Sequence, residues 1–284
     1  MTVEMQIDGI AVLDHGGVGP DVLLLHGANR TALDWEPVRL HLTGLRLVAM
    51  DLRGHGRSAS VCSYEWEDHL ADVDAVIRTL GLRRPWLVGH SLGGMIAVRY
   101  AASRGCAGVV DLDGFGGGVP TLYPGLTPQE VRERRAEQIA LYAGAPAATD
   151  PGQAEARGRA MAERFGWDAE SEAARARRSQ GRPLPGELPA LMNPLEGYDL
   201  FAEVRGLRVP ALLVAGARRP DLGHLPQRVR ELTGALVRGI ERELKALPDC
   251  VGVVRMESAG HMVHLDEPAR VGELIREFVK RSGN

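Results

Sequence analysis

Short apolar runs alternate with helical stretches along much of this chain, and that alternation constrains the fold more than any other feature. The helical stretch over residues 67–80, for example, repeats its apolar residues at a period of about 3.6. Strands that are apolar on both faces and alternate with helices are typical of a parallel sheet covered on both sides. The sequence therefore predicts an α/β fold. The strand-like runs are residues 11–13, 22–25, 47–50, 86–88, 108–112, 209–216 and 251–256.

The alternation stops after Leu112 and resumes at Val209. The sequence between them is rich in Arg, Glu and Ala, and it predicts helices over residues 128–142 and 153–180 with no strand-like run between them. We interpret its arginines as a solvated helix face. The resumed alternation adds two predicted helices, over residues 226–247 and 268–280.

This interruption indicates an insertion. We interpret residues 1–113 and 207–284 as one α/β core domain and residues 114–206 as a helical cap inserted after a sheet strand. The loops at the carboxyl ends of the strands surround the ligand crevice of such a sheet. We therefore expect the cap to lie over the crevice as a lid and to line much of the pocket. The alternative is a separate helical module without a role in the site.

The pentapeptide Gly89-His90-Ser91-Leu92-Gly93 directly follows one strand-like run and precedes a helix of small residues. A G-x-S-x-G sequence at a strand-to-helix turn is the nucleophile elbow. The turn is so tight that Cβ atoms beside the serine would collide with neighbouring backbone, and glycines avoid that collision. Ser91 is therefore the candidate nucleophile.

A serine hydroxyl needs a general base, normally a histidine that a carboxylate orients. We favour His261 among the nine histidines, because it follows the last strand-like run and Gly260 lets its loop bend toward the elbow. His264 is the alternative. A pair spaced in this way also suits metal ligation, but no carboxylate or third histidine completes such a set, so we predict no metal site.

Three further segments carry a family resemblance: residues 26–29 (His-Gly-Ala-Asn), residues 51–58 (Asp-Leu-Arg-Gly-His-Gly-Arg-Ser) and residues 260–268 around the candidate base. With the elbow, in this order, they resemble the α/β-hydrolase superfamily over nearly all the chain outside the insertion. The resemblance implies a mostly parallel hydrolase sheet with helices on both faces. It also implies that the segment starting at Asp51 shapes a loop and is not catalytic.

Residue by residue, the resemblance implies Ser91 as nucleophile and His261 as base. It implies that the backbone N–H groups of Leu92 and Ala28 form the oxyanion hole, where two preset donors stabilise the developing negative oxygen.

The acid of the triad departs from the commonest family pattern. Many relatives place it three residues after the glycine that here is Gly216, and that position holds Arg219. Asp221 lies close by and remains a candidate. A second family solution uses the end of the strand after the elbow helix, where Asp113 stands. Asp111 shares its orientation, but only Asp113 is at the strand tip. We favour Asp113.

The resemblance implies two-step acyl transfer on a small-molecule carboxylic ester, lactone or thioester, without cofactor or metal. The serine argues against the dehalogenases and epoxide hydrolases of the superfamily, which need a carboxylate nucleophile. Cleavage of amides or carbon–carbon bonds remains open, because fold does not choose among these reactions. The alternative class is a hydrolase-like receptor or a non-hydrolytic cyclase.

The composition of the chain limits the classes of binding partner that we expect. The 284 residues are 44% hydrophobic with a formal net charge of -3, which gives no reason to expect nucleic acid as a partner. No apolar stretch approaches the roughly 20 residues that cross a bilayer, and the first residues lack a secretory pattern, so we expect a cytoplasmic protein. Cys62, Cys106 and Cys250 have no ligand spacing, and we expect buried, reduced thiols. The oligomeric state has no sequence signal.

Overall fold

A computed structural model describes residues 1–143, 150–179, 187–219 and 222–283. In these residues an eight-stranded sheet has the order β1-β2-β4-β3-β5-β6-β7-β8. Pairs β1/β2 and β2/β4 are antiparallel, and every other neighbouring pair is parallel. The predicted α/β fold with a mostly parallel sheet is therefore confirmed. The strands are β1 Val3–Ile7, β2 Ile10–Gly16, β3 Asp21–Leu25, β4 Arg46–Met50, β5 Trp86–His90, β6 Gly108–Leu112, β7 Ala211–Gly216 and β8 Val251–Met256.

Helices cover both faces of this sheet, because successive side chains of a strand point to opposite faces. In β3, Leu23 and Leu25 pack beneath α2, α3, α8 and α9, whereas Val22 and Leu24 pack beneath α1, α10 and α11. The helices are α1 Glu36–Arg39, α2 Trp66–Leu80, α3 Leu92–Ser103, α4 Pro128–Ala143, α5 Pro151–Phe165, α6 Ala169–Ser179, α7 Leu188–Met192, α8 Leu200–Gly206, α9 Gln227–Lys245, α10 Val263–Asp266 and α11 Pro268–Ser282.

The described part of residues 114–206 contains helices joined by loops and no strand, but it differs from expectation in two ways. The single helix predicted over residues 153–180 is two helices, because Gly166 ends α5 in the left-handed conformation at φ +72°. Its arginines are also not all solvated. Arg134 is buried and pairs with Glu231 at 2.6 Å, and Arg178 of α6 is buried against Asp51 of the core at 2.8 Å.

The cysteines also differ from expectation. Cys106 is buried, and burial raises the pKa of its thiol to about 11. Cys62 and Cys250 are exposed, so the expectation that all three are buried is wrong. The sequence around these two cysteines has no apolar periodicity, so it does not indicate which side chains lie at the surface. Within the part of the chain that the structure describes, no helix is both long and apolar enough to cross a membrane.

Candidate active site

Ser91 lies in the turn between β5 and α3, with φ +50° and ψ −118°. This conformation is uncommon for a residue with a side chain, and such strain persists where the surroundings fix it. Here the Ser91 N–H donates to the Leu112 carbonyl at 3.0 Å. A Cβ on Gly89 would overlap the Gly93 carbonyl, and one on Gly93 would overlap the Leu25 carbonyl. The fold therefore leaves no room for a Cβ at either glycine, as the sequence predicted.

His261 bridges Ser91 and Asp113. Its Nδ1 lies 2.7 Å from Asp113 Oδ2, and its Nε2 lies 3.2 Å from Ser91 Oγ. Because the Asp113 carboxylate accepts a hydrogen bond from Nδ1–H, Nε2 is left without a proton and can accept a hydrogen bond from the serine hydroxyl. The structure thus brings together the three residues that the sequence predicted as nucleophile, base and acid, from the ends of β5, β6 and the loop after β8.

The other candidates lie elsewhere. His264 is fully buried, with Nε2 3.6 Å from Asp34 Oδ2 and its ring beside Trp35. Desolvation lowers its pKa despite the Asp34 charge. Asp221 lies outside the described residues. Arg219 is half-exposed and pairs with Glu241 on α9.

The two predicted oxyanion donors flank the elbow. Leu92 is the first residue of α3, and N–H groups of a helix's first turn have no intrahelical acceptor. Ala28 stands in a turn closed by the Arg30 N–H on the Gly27 carbonyl at 3.2 Å. A Cβ on Gly27 would lie 3.1 Å from the Ser91 Cβ. The turn therefore packs directly against the serine.

His90 is a site residue that the sequence pattern does not single out, because it occupies a variable position of the pentapeptide. Its Nε2–H donates to the His261 carbonyl at 2.9 Å, and its ring lies 4.8 Å from the His261 ring. Desolvation, reinforced by His264 and His261, holds the pKa of His90 well below 6.5. The neutral ring thus supports the backbone of the candidate base without adding charge.

Asp111 is a second buried carboxyl behind the site. It accepts the Gly114 N–H at 2.9 Å, and its other oxygen has no hydrogen-bond partner among the described residues. Burial, and then the charge of Asp113, raise the pKa of Asp111 well above its ordinary value. Two negative carboxylates so close together would repel. The raised pKa therefore favours the uncharged form of the Asp111 carboxyl beside the site.

A cavity of about 270 Å³ opens at Ser91, Asp113 and His261. Its apolar wall comes mainly from α9, whereas the inserted segment contributes Phe115 and Gly116 to the described lining. The expectation that the insertion lines much of the pocket is therefore wrong for the described residues. The physical reason is the amphipathic character of α9, whose apolar residues pack against the core and line the cavity. The α9 lining residues are Thr233, Leu236, Val237, Ile240, Glu241 and Leu244.

Asp266 organises the loop of the candidate base. Its side chain is 4% exposed and accepts the Gly260 N–H at 2.7 Å, the Trp167 Nε1–H at 2.7 Å and an Arg218 N–H at 2.8 Å. Trp167 lies between α5 and α6 of the insertion. The Asp266 carboxylate therefore links Trp167 to Gly260, the residue that precedes His261.

A buried ion-pair group fixes the turn that holds Ala28. Arg30 donates to Asp34 at 2.6 Å and, with two N–H groups, to Glu172 of α6 at 2.7 and 3.1 Å. Burial alone would raise the pKa of Asp34, but Arg30 and His264 hold it far below its ordinary value. A buried pair that is satisfied on both sides restrains geometry, since loss of one partner leaves a buried charge.

Among the described residues, no group of His, Cys, Asp or Glu is arranged to hold a metal ion.

The fold and this site define the class of protein. The model of the Alpha/beta hydrolase family matches residues 22–274. Because this match covers most of the chain, the chain belongs to the alpha/beta hydrolase family.

Curated relatives match over shorter segments. The 2-succinyl-6-hydroxy-2,4-cyclohexadiene-1-carboxylate synthase of Pectobacterium atrosepticum is 31% identical over 134 residues, which are 46% of this chain and 51% of that protein. A non-heme haloperoxidase of Rhodococcus erythropolis is 41% identical over 109 residues, or 37% of this chain and 39% of that protein. The match thus spans about half or less of the length of these relatives.

Solved structures match over the whole chain. The crystal structure of E-2-(acetamidomethylene)succinate hydrolase has a TM-score of 0.70 and 26% identity, covering 99% of this chain and 100% of that one. A thermophilic esterase from Thermogutta terrifontis has a TM-score of 0.69 and 19% identity, with full coverage of both chains. At that identity the second likeness shows the fold alone.

Proposed function

We propose that this chain is a serine hydrolase that cleaves a small-molecule carboxylic ester, lactone or thioester through an acyl-enzyme on Ser91. The observation that carries the proposal is the continuous contact from Ser91 Oγ to His261 at 3.2 Å and from His261 to Asp113 at 2.7 Å, at the mouth of one cavity. A nucleophile, a base and an orienting carboxylate in hydrogen-bond reach are the arrangement that acyl transfer needs.

In the first step, Ser91 Oγ bonds to the substrate carbonyl carbon while His261 Nε2 takes the hydroxyl proton. The Ala28 and Leu92 N–H groups stabilise the resulting oxyanion, and one such donor is worth roughly 10²- to 10³-fold in kcat. His261 then returns the proton to the leaving alcohol or thiol. Water repeats the cycle and releases the acid, so all protons move among Ser91, His261, substrate and water.

We propose that residues 114–206 act as a cap, whose described part fixes the two loops beside the serine and contributes two residues to the described pocket lining. Trp167 and Glu172 support this role, because they contact Asp266 and Arg30 respectively. The remaining residues, 1–113 and 207–284, form the proposed core domain.

A non-hydrolytic reaction at the same serine is the second candidate, since one relative of 31% identity is named a synthase. A receptor role is less well supported. A receptor does not require Ser91, His261 and Asp113 to be in mutual contact.

The test is covalent labelling of Ser91 with a fluorophosphonate, read by mass spectrometry, together with turnover of p-nitrophenyl butyrate. We expect the folded protein to be labelled on Ser91 and to hydrolyse the ester. Ser91→Ala should lose both, with kcat falling by at least about 10³-fold. Its melting temperature should stay within about 2 °C, because the substitution removes one hydroxyl from a half-buried side chain and leaves the backbone unchanged.

Absence of the label in folded protein would overturn the hydrolase proposal. Labelling without turnover of any ester, lactone or thioester would favour the non-hydrolytic candidate. Esterase activity that survives in Ser91→Ala would reject the assignment of the nucleophile.

A further inference from the structure

The cavity at Ser91 is apolar on one side and cationic on another. Met95 and Phe115 join the α9 side chains in the apolar wall. Arg218, Arg219 and Arg255 also line the cavity, whereas Glu241 is the one acidic lining residue beyond Asp113 among those described.

Each arginine of this cationic side contacts a carboxylate, but Asp266 and Glu257 lie outside the described lining. Arg218 is neutralised by the buried carboxylate of Asp266 at 2.8 Å. Arg219 and Arg255 share the carboxylate of Glu241, from which Arg255 is 3.5 Å away. Among the described lining residues, three arginines stand against the two carboxylates of Asp113 and Glu241, an excess of one positive charge.

Arg255 has one further partner, Glu257, at 2.9 Å. Glu257 does not line the cavity and its side chain is 76% exposed, so water screens this pair. Arg219 and Arg255 are each 47% exposed. Their guanidinium groups are therefore accessible to a ligand in the cavity.

We propose that this cavity takes an ester that carries a second, free carboxylate, which Arg219 and Arg255 bind while Ser91 attacks the ester carbonyl. The proposal rests on the hydrolase function above and names its substrate class: monoesters of small dicarboxylic acids, or esters of a hydroxy acid. The free carboxylate is not changed in the reaction.

Two physical arguments favour a carboxylate as the bound group. Guanidinium groups pair with carboxylates through charge-assisted hydrogen bonds, and both arginines already contact glutamates through single N–H groups. An excess of one charge is matched by one carboxylate. A cleft with apolar walls also focuses that charge, which raises the local concentration of an anionic substrate.

The same geometry gives a reason for the unusual residue at position 219. An aspartate there would add a negative charge beside Glu241, and the cavity would then repel an anionic substrate. With the acid supplied by Asp113, position 219 is free to carry a cation.

The test compares mono-p-nitrophenyl glutarate with its methyl ester, which is one methyl group longer and lacks the charge. We expect kcat/KM to be about tenfold or more higher for the monoester. That ratio should fall toward one in about 0.5 M NaCl, since salt screens exposed charges. The succinate and adipate homologues map the distance between serine and arginines.

Arg219→Gln and Arg255→Gln should each lower the ratio severalfold, and Arg219→Glu should bring it to one or below. Arg270→Gln is the matched control, because Arg270 is an equally exposed arginine, paired with Glu273 on α11 and outside the cavity. It should leave the ratio unchanged. Circular dichroism checks the fold of each variant.

Equal kcat/KM for the two esters in wild type, or a ratio that Arg219→Gln and Arg255→Gln both leave intact, would overturn this inference while the hydrolase proposal stands. Failure of both esters to react, with no fluorophosphonate label on Ser91, would instead overturn the hydrolase proposal. Glutarate binding to Ser91→Ala, measured by calorimetry, then decides the inference separately. Binding that Arg219→Glu abolishes supports the carboxylate site, and no binding rejects it.

Discussion

Asp113 is held in place from three directions. It has φ +55°, a conformation that few non-glycine residues adopt, and its N–H donates to the Val214 carbonyl at 2.8 Å. Its Oδ1 accepts the Gly216 N–H at 3.0 Å, which leaves Oδ2 for His261. Backbone strain at this position is therefore balanced by contacts that aim the carboxylate.

Asp113→Asn tests the acid. The amide Nδ2 would donate to His261, so Nδ1 would have to accept and Nε2 would carry the proton, which stops it from taking the serine proton. We expect kcat for p-nitrophenyl butyrate to fall by about 10⁴-fold, with the Gly216 contact preserved. Asp221→Asn is the control and should keep most of the activity. A larger loss in Asp221→Asn would transfer the role of acid to that residue.

At the scale of elements, the hairpin of α5 and α6 restrains both loops that approach the serine. Trp167 holds Asp266 beneath the His261 loop, and the Arg30 guanidinium lies 6.0 Å from the Trp167 ring. Glu172 of the same hairpin holds Arg30 itself. An element distant in sequence thereby connects the loop of the proposed base, His261, with the turn that holds Ala28.

Trp167→Phe removes only the Nε1–H and keeps an aromatic ring. A hydrogen bond to a charged group contributes about 1.5–3 kcal/mol, and its loss should loosen the Gly260 N–H contact with Asp266. We expect kcat to fall about three- to tenfold with a shifted pH profile of kcat/KM. Phe165→Leu, at the exposed ring stacked on Trp167, is the control. A lower melting temperature with kcat and pH profile unchanged would assign Trp167 a purely structural role.

At the scale of the whole molecule, several histidines are buried in neutral form. Burial lowers the pKa of His26 to about 4 and those of His55 and His69 to about 3. In addition, the Nε2 atom of His26 accepts a hydrogen bond from the Leu52 N–H at 2.9 Å. A proton on Nε2 would bring two N–H donors into opposition. The unfolded chain protonates these groups near pH 6.5.

The contribution of these histidines to the free energy of unfolding should therefore be complete above about pH 6.5. It should be lost as the pH falls toward 4, because the unfolded state binds more protons than the folded state in that range. Each such histidine contributes a slope of about 1.4 kcal/mol per pH unit. The carboxyl groups of Asp51, Asp72 and Asp111, whose pKa values are raised by burial, act in the opposite direction. They are three groups against six histidines with lowered pKa values, since burial also lowers the pKa values of His15, His90 and His264. We expect thermal melts to show a steep fall in melting temperature between pH 6.5 and 4.5.

His69→Phe should flatten that pH dependence by one histidine's share, whereas His224→Asn, at an exposed position, should not change it. A melting temperature that is constant between pH 6.5 and 4.5 would contradict the neutral, buried state of these histidines.

Most of the strands were predictable, because buried parallel strands are continuous apolar runs. β1 was missed although its sequence Val-Glu-Met-Gln-Ile alternates apolar and polar residues, the pattern of a half-buried edge strand. The break at Gly166 was missed because the residues on either side share one helical composition, and the glycine's left-handed backbone is visible only in the structure.

The sequence by itself determined the strand-turn-helix around Ser91 and the candidate base His261, since both depend on local spacing and on glycines that only a tight turn requires. Only the tertiary structure decided that Asp113 lies within hydrogen-bond distance of His261 and that Trp167 donates a hydrogen bond to Asp266. It also decided that α9 forms most of the apolar cavity wall. Those contacts join residues far apart in the chain. The order of strands and the path of loops set such distances, and no local pattern encodes them.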